Sequence, residues 1–262
     1  MRTLDAIALA ADFATVAYPS QRSALDSFSP GFTVVPFHAG IADGLIGVSK
    51  RERLAILAIA GSDESLDWIR NSHAKVHLHH DVGRHQGFFD HALEVREAVH
   101  QLSGDIRRDL YSADRVILTG HSQGGAAAIH AADLLPFDHV SSIITFGAPR
   151  TLRVENAYRY EHVDKVIRCV RPGDIVPDVP LRVAEWFQYA PVGGWAHVGA
   201  NYWFHEDGRV TTEESATWQY WRRIRRAARY WIQPWSQRRE QAVRDHDMQI
   251  YRQLAIAARY AV

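Results

Sequence analysis

Residues 120–124 read Gly-His-Ser-Gln-Gly, the pattern G-x-S-x-G, between an apolar run at 115–119 (RVILT) and an Ala-rich segment from Gln123 to Leu135. A serine hydroxyl becomes a useful nucleophile when the chain lifts it clear of its neighbours and sets it beside a base. A tight strand-to-helix turn achieves the first, and it demands small residues two positions to either side of the serine. Ser122 meets that demand through Gly120 and Gly124. The same turn puts the backbone N–H of Gln123 at the start of a helix, where an unpaired donor and the positive end of the helix dipole face a developing oxyanion. The chemistry these residues point to is acyl transfer.

The serine needs a general base and the base needs an orienting acid, which after such a turn follow in the order Ser, Asp or Glu, His. The acid should leave the end of a strand. Asp174 does so in VIRCVRPGDIVPDVP, where Pro172 and Gly173 turn the chain, and Asp178 is a nearby competitor. Glu161 and Asp164 precede that strand and fall at its other end. The downstream histidines are His197, His205 and His246, and spacing leaves all three open.

The elements that must hold these groups follow from apolar periodicity. Buried-strand runs occur at 54–60 (LAILAIA), 115–119, 140–146 (VSSIITF) and 166–170 (VIRCV), with a shorter alternating run at 75–82. Helical spacing marks 88–102 through Phe89, Leu93, Val95, Val99 and Leu102, the segment after Ser122, and an N-terminal stretch through Leu4, Ile7, Ala8, Ala11 and Thr15. Asp5 and Asp12 break that last stretch, so it reads as an amphipathic helix rather than a secretory h-region. Strands alternating with helices predict an α/β fold with a mostly parallel central sheet flanked by helices. Residues 186–235 hold seven of the eight tryptophans, and the pattern beyond is helical, a Trp/Arg-rich C-terminal extension. With no linker or repeat, residues 1–262 are expected to form one domain.

Several of these blocks together resemble the class 3 (fungal-type) lipases of the α/β-hydrolase fold, over roughly 54–251. AIAGSDESLDWIRN is similar to that family's strand and oxyanion loop, GRHQGFFDHALEVREAV to its helix entry, and VILTGHSQGGAAAIHAADL to its nucleophile elbow. ITFGAPR, RPGDIVPDVP and HDMQIYRQL resemble its next strand, its acid loop and its catalytic-histidine segment. The resemblance implies Ser122 as nucleophile, Asp174 as acid and His246 as base, with the backbone N–H groups of Ser62 and Gln123 as the oxyanion hole. It sets His197, in WAHVG, in a block that is normally structural. Residues 63–71 fall where the family often has its lid, and they are short and charged here. Ala60 stands where the family commonly has arginine. The implied function is hydrolysis of lipid esters, of triacylglycerol lipase or phospholipase type; the alternatives are a short-chain esterase, an acyltransferase with the same triad, or a catalytically silent binding module.

Composition narrows the setting. Thirty Lys plus Arg balance thirty Asp plus Glu, so no overall field draws the chain to nucleic acid or to an anionic membrane. Residues 220–235 (YWRRIRRAARYWIQPW) are a local exception. They suit either a domain helix with solvated arginines, the plainer reading, or a helix that touches a lipid surface. Cys169, the single cysteine, permits no internal disulfide; the expectation is a cytoplasmic protein, with export lacking a recognisable signal as the alternative. Six histidines fall within 73–91. Without cysteines or repeated ligand spacing they read as a polar strand edge, and neither a metal nor a cofactor is expected.

Overall fold

A computed structural model of the chain describes residues 1–27, 31–61, 76–137, 139–155, 157–179, 194–212 and 243–260. Helix α1 (Thr3–Val16) leads into strands β1 (Thr33–Ala39), β2 (Ala42–Ser49) and β3 (Leu54–Ile59). A short pair, β4 (Val76–His79) and β5 (Val82–His85), precedes helices α2 (Gln86–His100) and α3 (Gly104–Tyr111). Strand β6 (Arg115–His121), helix α4 (Gln123–Leu134), and strands β7 (Val140–Phe146), β8 (Leu152–Arg153) and β9 (Val166–Val170) follow. Strands β10 (Trp195–Ala196), β11 (Ala200–Phe204) and β12 (Val210–Thr211) and helix α5 (Met248–Tyr260) come after them.

Eight strands form the main sheet in the order β1-β2-β3-β6-β7-β9-β11-β12. The run β3-β6-β7-β9-β11 is parallel, as expected, and the other pairs are antiparallel. A parallel sheet covered on both faces needs strands apolar on both faces, and β3 shows it. Its alternate residues Ala55, Leu57 and Ile59 join the core beneath α2 and α4. Leu54, Ile56 and Ala58 join a second core beneath α1 and α5. The acids that set α1 apart from a signal sequence face α5: Asp12 accepts from Arg252 at 2.6 Å and Asp5 from Arg259 at 2.9 Å. Among the described residues no helix is long and apolar enough to cross a membrane.

The expectations are corrected in three places. The run at 75–82 is no single strand: His80 and Asp81 both take positive φ, 49° and 60°, and close β4 onto β5 as a two-residue hairpin. That hairpin belongs to a separate four-stranded sheet, order β10-β8-β5-β4. The antiparallel β1–β2 pair carried no strand prediction, because Pro36, His38, Gly44 and Gly47 interrupt its alternation. Part of the Trp-rich stretch also forms strands, β10 to β12, while 220–235 lie outside the described residues.

The histidine-rich stretch is not a polar edge either. His77 stacks on Phe89 with ring centroids 4.3 Å apart, and His85 stacks on Phe88 at 4.1 Å. His85 and His91 are buried, whereas Val76 and Leu78 on β4 point outward. Beside them the buried Arg84 links β5 to α4 through Asp133 at 2.5 Å and His130 at 3.0 Å, its guanidinium lying over the rings of Phe89 and Tyr160. Among the described residues no group of three His, Cys, Asp or Glu is placed to hold a metal; His73 lies outside them.

Burial pushes both His85 and His91 down to about 4. An unfolded histidine takes its proton near pH 6.5. Between those values the unfolded chain binds more protons than the folded one, so stability is complete above pH 6.5 and falls as pH drops towards 4. The expected slope reaches about 1.4 kcal/mol per pH unit for each histidine. Urea unfolding at pH 7.0, 6.0 and 5.0 measures it, and a constant midpoint across that series would contradict the burial argument.

Candidate active site

The C-terminal ends of β6 and β9 and the start of α5 converge. Ser122, directly after β6, has φ 56° and ψ −128°, a conformation that costs a residue with a Cβ of order 1–3 kcal/mol. Its N–H donates to the Phe146 carbonyl on β7 at 2.9 Å, and its own carbonyl accepts from Gly125 and Ala126 at 3.1 and 3.2 Å. The turn closes only because its flanks are small. A Cβ on Gly120 would lie 2.4 Å from the Gly124 carbonyl carbon, and one on Gly124 would lie 2.3 Å from the Ile59 carbonyl oxygen on β3. Gln123 is the first residue of α4, so its N–H belongs to the set a helix leaves without intrahelical partners.

Asp174 is fully buried in the turn after β9. Its Oδ1 accepts the Val176 N–H at 2.9 Å. Its Oδ2 takes both the Tyr251 hydroxyl at 2.7 Å and Nδ1 of His246 at 2.9 Å. Burial, and next the Asp174 charge, hold the Tyr251 hydroxyl well above the ordinary phenol range, so it remains a donor. Gly147, at φ +56°, opens the space between acid and histidine: a Cβ there would sit 2.6 Å from Asp174 Oδ2 and 3.0 Å from the His246 ring. The other nitrogen of that ring, Nε2, is buried with no hydrogen-bond partner among the described residues.

The other two downstream histidines have contacts of their own. His197 Nε2 bonds the Pro177 carbonyl at 2.6 Å, tying down the acid loop, and His205 Nε2 meets Thr211 Oγ1 at 3.0 Å across the β11–β12 pair. Asp178 lies 3.8 Å from Arg150. Ser62 and the lid-position residues 63–71 lie outside the described residues. Gly61, just before Ser62, brings the end of β3 to the turn: its Cβ position is 3.1 Å from the Ser122 Cβ.

Two further side chains complete the site. The ring of His121 lies 4.4 Å from that of His246, and its Nδ1 bonds the Tyr18 hydroxyl at 2.7 Å. Burial, and then the neighbouring His246, hold His121 well below the usual imidazole range, so it stays neutral. The position of His121 inside the elbow pattern was visible in the sequence; its pairing with Tyr18, across 103 residues, carried no sequence signal. A separate cleft of about 420 Å³ lies at the far end of α4, lined in part by Arg84, Asp133, Arg159, Tyr160 and His162. One helix length, about 18 Å by its rise, separates it from Ser122.

This arrangement, a strained serine between strand and helix with an acid and a histidine carried on later segments, is that of the α/β-hydrolases. Residues 56–184 match the class 3 lipase family. Solved structures agree on the fold. The triacylglyceride lipase of Rhizomucor miehei superposes with a TM-score of 0.64 at 20% identity, covering 80% of this chain and 83% of its own. The lipase of Rhizopus microsporus var. chinensis gives 0.62 at 22%, with 76% and 74% covered. Lipase II from Rhizopus niveus gives 0.60 at 23%, with 76% and 80% covered. Among curated proteins none matches this chain in sequence.

The Tyr251 hydroxyl donates to a buried carboxylate and accepts the Arg171 N–H at 3.1 Å. Tyr251→Phe strands both partners and is expected to cost about 2–3 kcal/mol of unfolding free energy, as for a lost hydrogen bond to a buried charge. Denaturant unfolding of the variant checks it.

Proposed function

We propose that the protein hydrolyses lipid esters through Ser122, His246 and Asp174 and an acyl-enzyme intermediate. The observation that carries this reading is the buried Asp174–His246 hydrogen bond, which leaves the opposite ring nitrogen unpaired among the described residues while the ring packs on the residue next to Ser122. In the reaction, Ser122 Oγ attacks the ester carbonyl carbon as His246 Nε2 takes its proton. The Gln123 N–H and the N–H of Ser62 hold the oxyanion. His246 then returns the proton to the departing alkoxide, and water repeats the sequence on the acyl-enzyme. Asp174 fixes the tautomer and stabilises the imidazolium formed in between.

The choice of lipid esters rests on the family match and on what is known of the structural relatives. One is a triacylglycerol lipase whose catalytic centre is a serine protease triad. Another is a fungal lipase, in complex with an inhibitor, that supplies a model for interfacial activation. We read residues 1–262 as one hydrolase domain that works without metal or cofactor. The buried free thiol of Cys169 supports a compartment where disulfides are not needed.

Ser122→Ala is expected to lower hydrolysis of p-nitrophenyl esters roughly 10⁴-fold or more and to abolish labelling by a fluorophosphonate probe. In a panel of triacylglycerols, phospholipids and short-chain esters, activity should favour long acyl chains and rise above the critical micelle concentration. Equal rates for wild type and Ser122→Ala would overturn the proposal, and preference for soluble short-chain esters would move it to an esterase.

A further inference from the structure

His246 lies just beyond residues 243–245, which are helical. Local backbone bonds run from the His246 N–H to the Val243 carbonyl at 3.2 Å and from the Asp247 N–H to the Arg244 carbonyl at 3.2 Å. A tether from this turn to the sheet comes from Arg171, the residue directly after β9. Its Nη1 donates to the Asp245 carbonyl at 2.7 Å and to the Arg244 carbonyl at 3.3 Å, and its Nη2 lies 3.8 Å from the Asp245 carboxylate. The carbonyls it grips are those of the two residues immediately before His246.

Arg171 is itself held from several sides. Its side chain is only 7% exposed, its N–H is taken by the Tyr251 hydroxyl at 3.1 Å, and its carbonyl accepts the Asp174 N–H at 3.2 Å. Burying a guanidinium costs several kcal/mol unless its donors are used, and here they are spent on the backbone that carries His246. A planar fork suits that task, since one group reaches two carbonyls and a carboxylate from a single direction; an ammonium is a single point charge.

We propose that Arg171 is a positioning residue for ester hydrolysis: it clamps the main chain of the His246 turn to the end of β9, so that one turn supplies both the acid that orients the imidazole ring and the cation that fixes its backbone. The inference rests on His246 acting as the base. Arg171 and Asp174 leave the same turn three residues apart, and the two hold His246 at different atoms. A shift of about 1 Å in a reacting group costs on the order of 10²-fold, so the clamp acts on turnover more than on binding.

The experiment compares wild type, Arg171→Lys, Arg171→Met and His246→Ala on a soluble p-nitrophenyl ester, with folding checked by circular dichroism. Expected are kcat losses of about 10-fold for the Lys variant and about 10²-fold for the Met variant, with KM within about twofold. Arg171→Lys keeps the charge. The loss it causes should therefore appear in kcat with KM held, which a general loss of packing would not produce. A folded Arg171→Lys and Arg171→Met with wild-type kcat overturns the proposal, as does an equal rise of KM in both. So does loss of fold in both, which would make Arg171 a structural residue. An active His246→Ala would instead refute the function on which the inference rests.

Discussion

A carboxylate with no exposure to water needs donors, and Asp174 obtains three from separate stretches of chain: Val176 from its own turn, and His246 and Tyr251 from the C-terminal segment. Stripping an ion of its hydration costs several kcal/mol, and that cost is offset only where geometry is good and each lone pair is met. The requirement reaches far into the fold. Tyr251 arrives on α5, α5 packs against α1, and α1 lies on the sheet face formed by Ile56, Ile117 and Ile144. Helices from opposite ends of the sequence thus have to be in place before a charge in the turn after β9 is tolerable.

The serine turn makes a second demand, met by backbone instead of side chains. Positive φ at a residue bearing a Cβ persists where the surroundings over-determine it. Three strands do so here: β6 leads in, β7 offers the Phe146 carbonyl to the Ser122 N–H, and β3 passes so close that nothing larger than glycine fits at position 124. The parallel order β3-β6-β7 is therefore a condition of the turn as much as its scaffold. The groups joined by the turn are near in sequence; those that answer it, Asp174 and His246, come from segments 50 or more residues later.

That difference in range decides what could be read from residues alone. The elbow was legible because its logic is local, an apolar strand, two glycines and an Ala-rich helix in one short stretch. The candidate acid was legible as a residue leaving a strand. The candidate base was not legible from spacing, since three histidines followed and only the family resemblance pointed to His246; in the fold His197 and His205 bond within their own neighbourhood and His246 bonds Asp174. Strands β1 and β2 escaped because Pro36, His38, Gly44 and Gly47 mask their alternation, and β10 to β12 because aromatic residues serve a strand as well as a helix. The histidine-rich stretch was misjudged by polarity, since a neutral imidazole stacked on phenylalanine packs as an aromatic ring does.

Two imidazoles in contact also pose an electrostatic problem that the site resolves by unequal surroundings. During the proposed acyl transfer His246 carries a positive charge, and a second cation 4.4 Å away would oppose it. His121 disfavours becoming that cation: it is buried, its Nδ1 is occupied by the Tyr18 hydroxyl, and no carboxylate faces it among its described contacts. His246 has the Asp174 carboxylate directly behind its Nδ1. Burial without a counter-ion favours the neutral ring and burial against a carboxylate favours the charged one. The proton taken from Ser122 therefore has one place to reside, on the ring whose opposite nitrogen is already anchored to the acid.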